Sequence, residues 1–234
     1  MKKIAIFVEG LTERIFIDKL LQELITEKKL AIKSVDASGG KKCPRFTVTI
    51  TEDIITNETK FQILVFNSCT DNRVLSDIRD NYESLSNNGY TTFIGIRDLF
   101  PDYLYTEKTE AFEDANFFIS SFQNTFIIFA TMETETWLIG ELNHYTNLDS
   151  SLTLTHIKDN LIDLENIDFE KDITNPADML HAIYQLKGKN WEKTESQITE
   201  TIESLDYENL YCETRNKIPS LNQLITELDI FFTE

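Results

Sequence analysis

Two hydrophobic periods alternate along this chain, one of strands and one of helices. Residues 4–8 form a continuous β-rich apolar run, the pattern of a strand buried on both faces, and Glu9-Gly10 ends it sharply. From Thr12 the apolar positions change to helical spacing, Ile15, Phe16, Leu20, Leu21 and Leu24, which predicts a helix over 12–27 packed on that strand. A β-prone stretch at 46–54 follows, then a strand at 61–66, a helix at 74–85 and another buried-type strand at 91–96. Asn87-Asn88-Gly89 supplies a helix stop, because Asn and Gly tolerate the left-handed backbone of a helix end. A helix over 107–122 and a strand over 125–130 come next, and the apolar members of 132–139 fit a helix face. Beyond about Tyr145 helical patterns dominate: 152–164, 176–186 with Asn175 as N-cap, 191–205 and 221–232. The alternation predicts an α/β fold, a largely parallel sheet flanked by helices over 1–145, with a helical C-terminal region over 146–234.

Composition narrows the function classes. The 234 residues are 41% hydrophobic with only seven Gly and four Pro, enough to bury a sizeable core and unlike a disordered chain. Twenty-two Lys and Arg against forty Asp and Glu leave a net charge of −18, which repels phosphate backbones unless cations cluster locally or a partner lends them. Cys43, Cys69 and Cys212 are too few and too scattered for a disulfide framework or a zinc site, so they read as reduced thiols. The first apolar run is too short for a signal sequence or membrane span. The expectation is a cytoplasmic protein with no membrane association, and an oligomer is compatible with it.

Acidic residues gather where three predicted strands end. Glu9 closes the first strand, Asp98 follows the strand at 91–96, and Glu133 and Glu135 follow the strand at 125–130. Glu13 lies about one helical turn after Glu9. In open parallel sheets such strand ends converge on one crevice. Several carboxylates at close range raise one another's pKa, whereas a divalent cation lets all remain charged. Magnesium, a hard cation that bridges a few carboxylates to phosphate oxygens, suits this set, and manganese is the alternative. Each acid has a plainer reading as well: Glu13 as a first-turn residue favoured by the helix dipole, and Glu135 as an outward-facing helix position. Glu9 is the strongest candidate, since it ends a doubly buried strand and precedes a Gly that allows close backbone approach.

The hexapeptide Val8-Glu9-Gly10-Leu11-Thr12-Glu13 resembles the strand-loop-helix signature of TOPRIM domains, shared by topoisomerases, primases and overcoming-lysogenization-defect family nucleases. Arg97-Asp98-Leu99-Phe100-Pro101 is similar to the acidic second motif of small stand-alone TOPRIM-like proteins of bacterial abortive-infection and anti-phage defence loci. Met132-Glu133-Thr134-Glu135-Thr136-Trp137-Leu138 resembles that family's acidic helix start, and stretches 174–177 and 214–221 resemble its C-terminal landmarks. The resemblance implies a TOPRIM-like catalytic domain in which Glu9, Asp98 and Glu133 are catalytic, and Glu9, Glu13, Asp98, Glu133 and Glu135 hold Mg²⁺ or Mn²⁺. It implies an endonuclease acting on DNA or RNA, tRNA included, as the effector of a defence system and controlled by a partner ATPase. The alternative is a catalytically silent TOPRIM-shaped subunit of an ATPase complex. One departure is plain: the usual Asp-x-Asp pair is absent, because position 100 is Phe and the next acid is Asp102. That leaves open whether a second metal is held and whether Glu133 or Glu135 takes over the missing ligand.

A phosphate-binding element is sought in 38–45, where a Gly pair precedes Lys41, Lys42 and Arg45. These three cations are the nucleic-acid-binding candidates, against the equally simple reading of a surface turn. The loop lacks the Gly-Lys-Ser/Thr spacing of a nucleotide-hydrolysing P-loop. A second basic group, Lys187, Lys189 and Lys193 around Trp191, reads as solvation of a helix start.

Overall fold

Residues 4–8 have no exposed surface at all, so the first strand is central and covered on both faces, as its unbroken apolar run predicts. The computed structural model describes residues 1–25, 29–40, 43–70 and 72–233. Six strands form one sheet: β1 (Lys2–Val8), β2 (Leu30–Ser38), β3 (Phe46–Glu52), β4 (Phe61–Asn67), β5 (Thr92–Asp98) and β6 (Thr125–Ala130). Their spatial order is β3-β2-β4-β1-β5-β6. β1 runs parallel to β4 and β5, β2 runs parallel to β4, and β3 runs antiparallel to β2. The α/β class and the largely parallel sheet flanked by helices are therefore as expected.

Two helices cover this sheet early in the chain. α1 (Leu11–Leu24) buries Phe16, Ile17, Leu20 and Leu21, the helically spaced positions. α2 (Val74–Asn87) ends at the predicted stop, with Asn88 at the cap and Gly89 at φ +85°. Its Val74 and Ile78 lie so close to β5 that a Cβ on Gly95 would come within 3.0 Å of both. α3 (Lys108–Ile119) leads into β6, and Phe112 meets Phe129 edge-on at 5.0 Å.

β2 is the element the apolar pattern does not disclose. Lys33, Ser34 and Asp36 interrupt its run, yet Ser34 is fully buried and donates to Asp18 Oδ1 of α1 at 2.7 Å. Asp36 is half-buried against Arg14 and Asn67, and Lys33 pairs with Glu52 at a partly exposed position. β3 is exposed along its whole length, as an edge strand paired on one side is.

The later chain is helical: α4 (Glu135–Gly140), α5 (His144–Leu148), α6 (Leu154–Asn160), α7 (Phe169–Asp172), α8 (Pro176–Gln185), α9 (Glu195–Ser204), α10 (Tyr207–Asn209), α11 (Arg215–Lys217) and α12 (Pro219–Thr233). Asn175 caps α8, its side chain accepting from Asp178 N. The stretch 152–164 divides into α6 and a 3-10 turn at Leu164–Asn166. Among the described residues no helix is long and apolar enough to cross a membrane.

The chain forms two units. The first contains residues 1–97, 109–129 and 228–234, and the second contains 98–108 and 130–227. The first holds nearly all of the sheet with α1, α2 and most of α3; within it Phe231 and Phe232 pack on Phe61 with ring centroids 5.8 and 5.0 Å away. The second is organised round a buried polar chain. Lys108 Nζ donates to Thr131 Oγ1 and Glu170 Oε2, both at 2.8 Å; Glu170 Oε1 accepts from Ser220 N at 2.7 Å; and Ser220 Oγ accepts from Trp137 Nε1 at 2.8 Å. Every link satisfies a group that would otherwise be buried unpaired.

Candidate functional site

In the first unit, the sheet register aligns Val8, Asn67 and Asp36 at the carboxyl ends of their strands. Glu9 is the next residue and is only 6% exposed. Arg97 Nε donates to Glu9 Oε1 at 3.1 Å, and the same guanidinium stands 5.7 Å from the Phe129 ring. The strand-end acid thus has a buried counter-ion delivered by β5. Glu13, in the first turn of α1, is equally buried, and its Oε2 would be 3.0 Å from a Cβ on Gly10. The Gly at the end of β1 does permit a close approach, and the approaching group is the Glu13 carboxylate.

Other cations ring these strand ends. Arg14 Nε lies 3.2 Å from Asp36 Oδ1, and Asn67 Nδ2 donates to the same oxygen at 2.9 Å. Arg45 pairs with the fully buried Asp77 and donates to Ser68 O at 2.9 Å. Lys41 and Lys42, the other two candidates for nucleic-acid contact, lie outside the described residues.

In the second unit Asp98, Glu133 and Glu135 all act by charge on one lysine, Lys193, which Glu135 contacts directly. Asp98 is the last residue of β5 rather than a loop residue beyond it. Its Oδ1 accepts from Thr134 N at 3.0 Å and Thr134 Oγ1 at 3.1 Å, which ties it to the turn leading into α4. Glu133 Oε2 accepts from Ala177 N at 3.0 Å, in the open first turn of α8. Glu135 is fully buried. Its Oε1 takes Lys193 Nζ at 2.9 Å and Trp191 Nε1 at 3.3 Å, whereas its Oε2 is buried with no hydrogen-bond partner among the described residues. The outward-facing reading of Glu135 is therefore overturned, and the solvating reading fails for Trp191, whose indole is 4% exposed, whereas Lys193 is solvent-exposed and also pairs with Glu135.

Electrostatics bind this group together. Burial pushes the Glu133 carboxyl up, and the charges of Glu135 and Asp178 add to it, against the pull of Lys193 and the Ala177 N–H. Burial would lower the Lys193 ammonium, but Glu135, by charge and hydrogen bond, and the charges of Glu133 and Asp98 raise it above the ordinary lysine value. Lys193 is the residue that the motif reading missed. The signal available was its place beside a Trp in a short basic group, which solvation explained equally well.

Hard oxygen donors are the chemistry a divalent cation of this kind takes, and one oxygen here, Glu135 Oε2, is buried without a hydrogen bond, but the side chains do not converge. Among the described residues no three His, Cys, Asp or Glu side chains are drawn close enough to hold a metal ion as they stand. No protein-family model, curated protein or solved structure matches the chain.

Proposed function

We propose that the chain is a divalent-metal-dependent phosphodiesterase of TOPRIM-like type that cleaves DNA or RNA. The observation that carries this reading is the second unit's group of Asp98, Glu133 and Glu135 acting by charge on Lys193, with Glu135 Oε2 buried and unpartnered. In this reading those three residues would hold Mg²⁺ or Mn²⁺ only after drawing closer together than they stand. A bound ion supplies charge stabilisation at a reacting phosphodiester. The chain's own part is to fix the donors: Thr134 orients Asp98, the Ala177 N–H orients Glu133, and Trp191 orients Glu135. Control by a partner ATPase in phage defence belongs to the same proposal and rests on the motif resemblance, together with a net charge of −18 that disfavours unassisted capture of nucleic acid.

The test is incubation of the purified chain with labelled DNA and tRNA in Mg²⁺ or Mn²⁺, alone and with a candidate partner ATPase. Metal-dependent cleavage lost in Glu133→Gln and Glu135→Gln supports the reading; cleavage that persists in both removes it. Glu9→Ala tests separately the role that the resemblance gives to the first unit.

A second reading, a catalytically silent interaction subunit, is favoured by one observation: Glu9 and Glu135 each already carry an internal counter-cation, Arg97 and Lys193. A silent subunit shows no thermal shift with divalent ions, whereas a metal site is stabilised by mass action.

A further inference from the structure

The two crossover helices α1 and α2 lie on opposite faces of the sheet. Val74 and Ile78 of α2 pack on Gly95, which is in register with Phe7, Phe66 and Val35. Ser34, one residue from Val35, faces the other way and meets Asp18 of α1. The adjacent strands β1 and β4 therefore send their chains to opposite sides. Open α/β sheets bind ligands in the crevice outside such strand ends. Ser68 marks this point, because it follows β4 and its N–H donates to Val8 O at 2.8 Å.

Polar groups without partners collect there. Among the described residues seven buried side-chain polar atoms make no hydrogen bond, and four of them are Arg45 Nε, Ser68 Oγ, Arg73 Nε and Asp77 Oδ1. Arg45 Nη2 donates to Ser68 O at 2.9 Å and pairs with Asp77 Oδ2. Arg73, at the N-cap of α2, lies 3.7 Å from Asp77 Oδ1, within reach of its charge but beyond a hydrogen bond. Its side chain is 40% exposed, against 1% for Asp77. Two guanidiniums against one carboxylate leave one positive charge, and three of the four orphaned atoms can donate. A group with one negative charge and only acceptor oxygens complements both. The planar fork of arginine matches phosphate oxygens in particular. The next acid on α2, Asp80, already has its own counter-ion in Arg79 at 3.0 Å.

We propose that Arg73 and Arg45, oriented by the buried Asp77, bind a phosphodiester group of a nucleic-acid strand at the carboxyl end of β4. The inference rests on the reading of the chain as a nucleic-acid-cleaving enzyme and adds where the first unit holds a substrate phosphate. Asp77 is a positioning residue: its charge holds both guanidiniums in one place, and its burial keeps it away from the incoming anion. A phosphodiester, with one negative charge, leaves the whole group neutral, which a partly buried cluster favours.

The test is phosphorus NMR of the full chain with thymidylyl-thymidine, which holds a single phosphodiester, and separately with inorganic phosphate. Both titrations contain EDTA and no divalent ion, so binding is read without cleavage. The parent should shift and broaden the diester resonance saturably. Arg73→Gln should weaken diester binding at least about tenfold, the size expected for a lost hydrogen bond to a charged group. Lys19→Gln, which removes an equal charge from the Lys19–Glu23 pair on α1, should not. Arg73→Lys keeps the charge without the fork and should fall between parent and Arg73→Gln. Absence of diester binding by the parent, or equal losses in Arg73→Gln and Lys19→Gln, overturns the proposal. Binding of inorganic phosphate without the diester also overturns it, because the occupant is then a free phosphate. Should Arg73→Gln melt below the parent, Arg73→Lys decides, and binding equal to the parent's overturns the proposal. Diester binding in a chain that cleaves nothing with Mg²⁺ or Mn²⁺ upholds the phosphate site and removes the enzyme reading alone.

Discussion

Arg97 donates from Nε to Glu9 Oε1 at 3.1 Å, joining the residue after β1 to the penultimate residue of the neighbouring β5. The side chains are 10% and 7% exposed, so neither charge can fall back on solvent. Breaking a buried ion pair by removing one partner typically costs about 3–5 kcal/mol. Arg97→Met should therefore destabilise the first unit by about that amount, and the double variant Glu9→Gln with Arg97→Met should be clearly more stable than Arg97→Met alone. Urea denaturation of the four proteins in the cycle measures the coupling. Additive losses would mean that the pair contributes no specific interaction.

Gly95 offers a second check on packing. A Cβ there would lie 2.8 Å from Ile127 Cδ1, 2.9 Å from Ile78 Cδ1 and 3.0 Å from Val74 Cγ1, all tips of buried β-branched side chains. Branched side chains have few alternative rotamers to retreat into. Gly95→Ala should cost about 1–3 kcal/mol through overpacking. Ile78→Val removes one of the clashing methyl groups, so combining it with Gly95→Ala should cost less than the sum of the two single changes. Denaturation midpoints at constant slope decide the point.

These relations show where the linear pattern was informative. β1, β4, β5 and β6 were legible because strands buried on both faces write unbroken apolar runs, and the stop at Asn88-Gly89 was legible from backbone preference. β2 was not: its buried Ser34 and its Asp36 look like loop residues until Asp18, Asn67 and Arg14 are seen to meet them. The same limit applied to the site. The switch from apolar strand to acid at Glu9 is visible locally, but its counter-ion Arg97 is 88 positions away and arrives only through strand register. Lys193 is likewise distant from Glu135 in sequence, and its place in a short basic group concealed an engaged charge.

Glu170 predicts how the second unit responds to loss of a single polar group. Burial alone would raise its carboxyl, but the Lys108 ammonium and the Ser220 side chain and N–H together hold it below the ordinary value. Glu170→Leu would leave the buried Ser220 N–H without its acceptor, a loss of about 1–3 kcal/mol, and would leave the Lys108 ammonium with Thr131 Oγ1 but without its counter-charge. Glu170→Gln keeps acceptor capacity for one donor and should lose less. Thermal unfolding should rank the parent above Glu170→Gln and Glu170→Leu lowest; the reverse order of the two variants would show that the polar chain is dispensable.

Two buried groups should give opposite dependences of stability on pH. In the first unit, burial pushes the Asp18 carboxyl from 3.8 up to about 6, with Asp53 and Asp36 adding to it and the Ser34 hydroxyl and Arg14 opposing it. In the second, burial pushes the His144 imidazole from 6.5 down to about 4, although its bond to the Glu141 carbonyl works the other way. Between pH 3.8 and 6 the folded chain keeps an Asp18 proton that the unfolded chain releases, so this group favours folding increasingly as pH falls. Between pH 4 and 6.5 the unfolded chain takes a His144 proton that the folded chain refuses, so that group disfavours folding increasingly as pH falls. Each slope is limited to about 1.4 kcal/mol per pH unit. Relative to the parent, Asp18→Asn should lose stability on acidification from pH 6 to 4, and His144→Gln should gain it over the same interval. Parallel urea titrations of the parent and both variants at pH 4, 5, 6 and 7 test the signs, and curves of identical slope would remove both assignments.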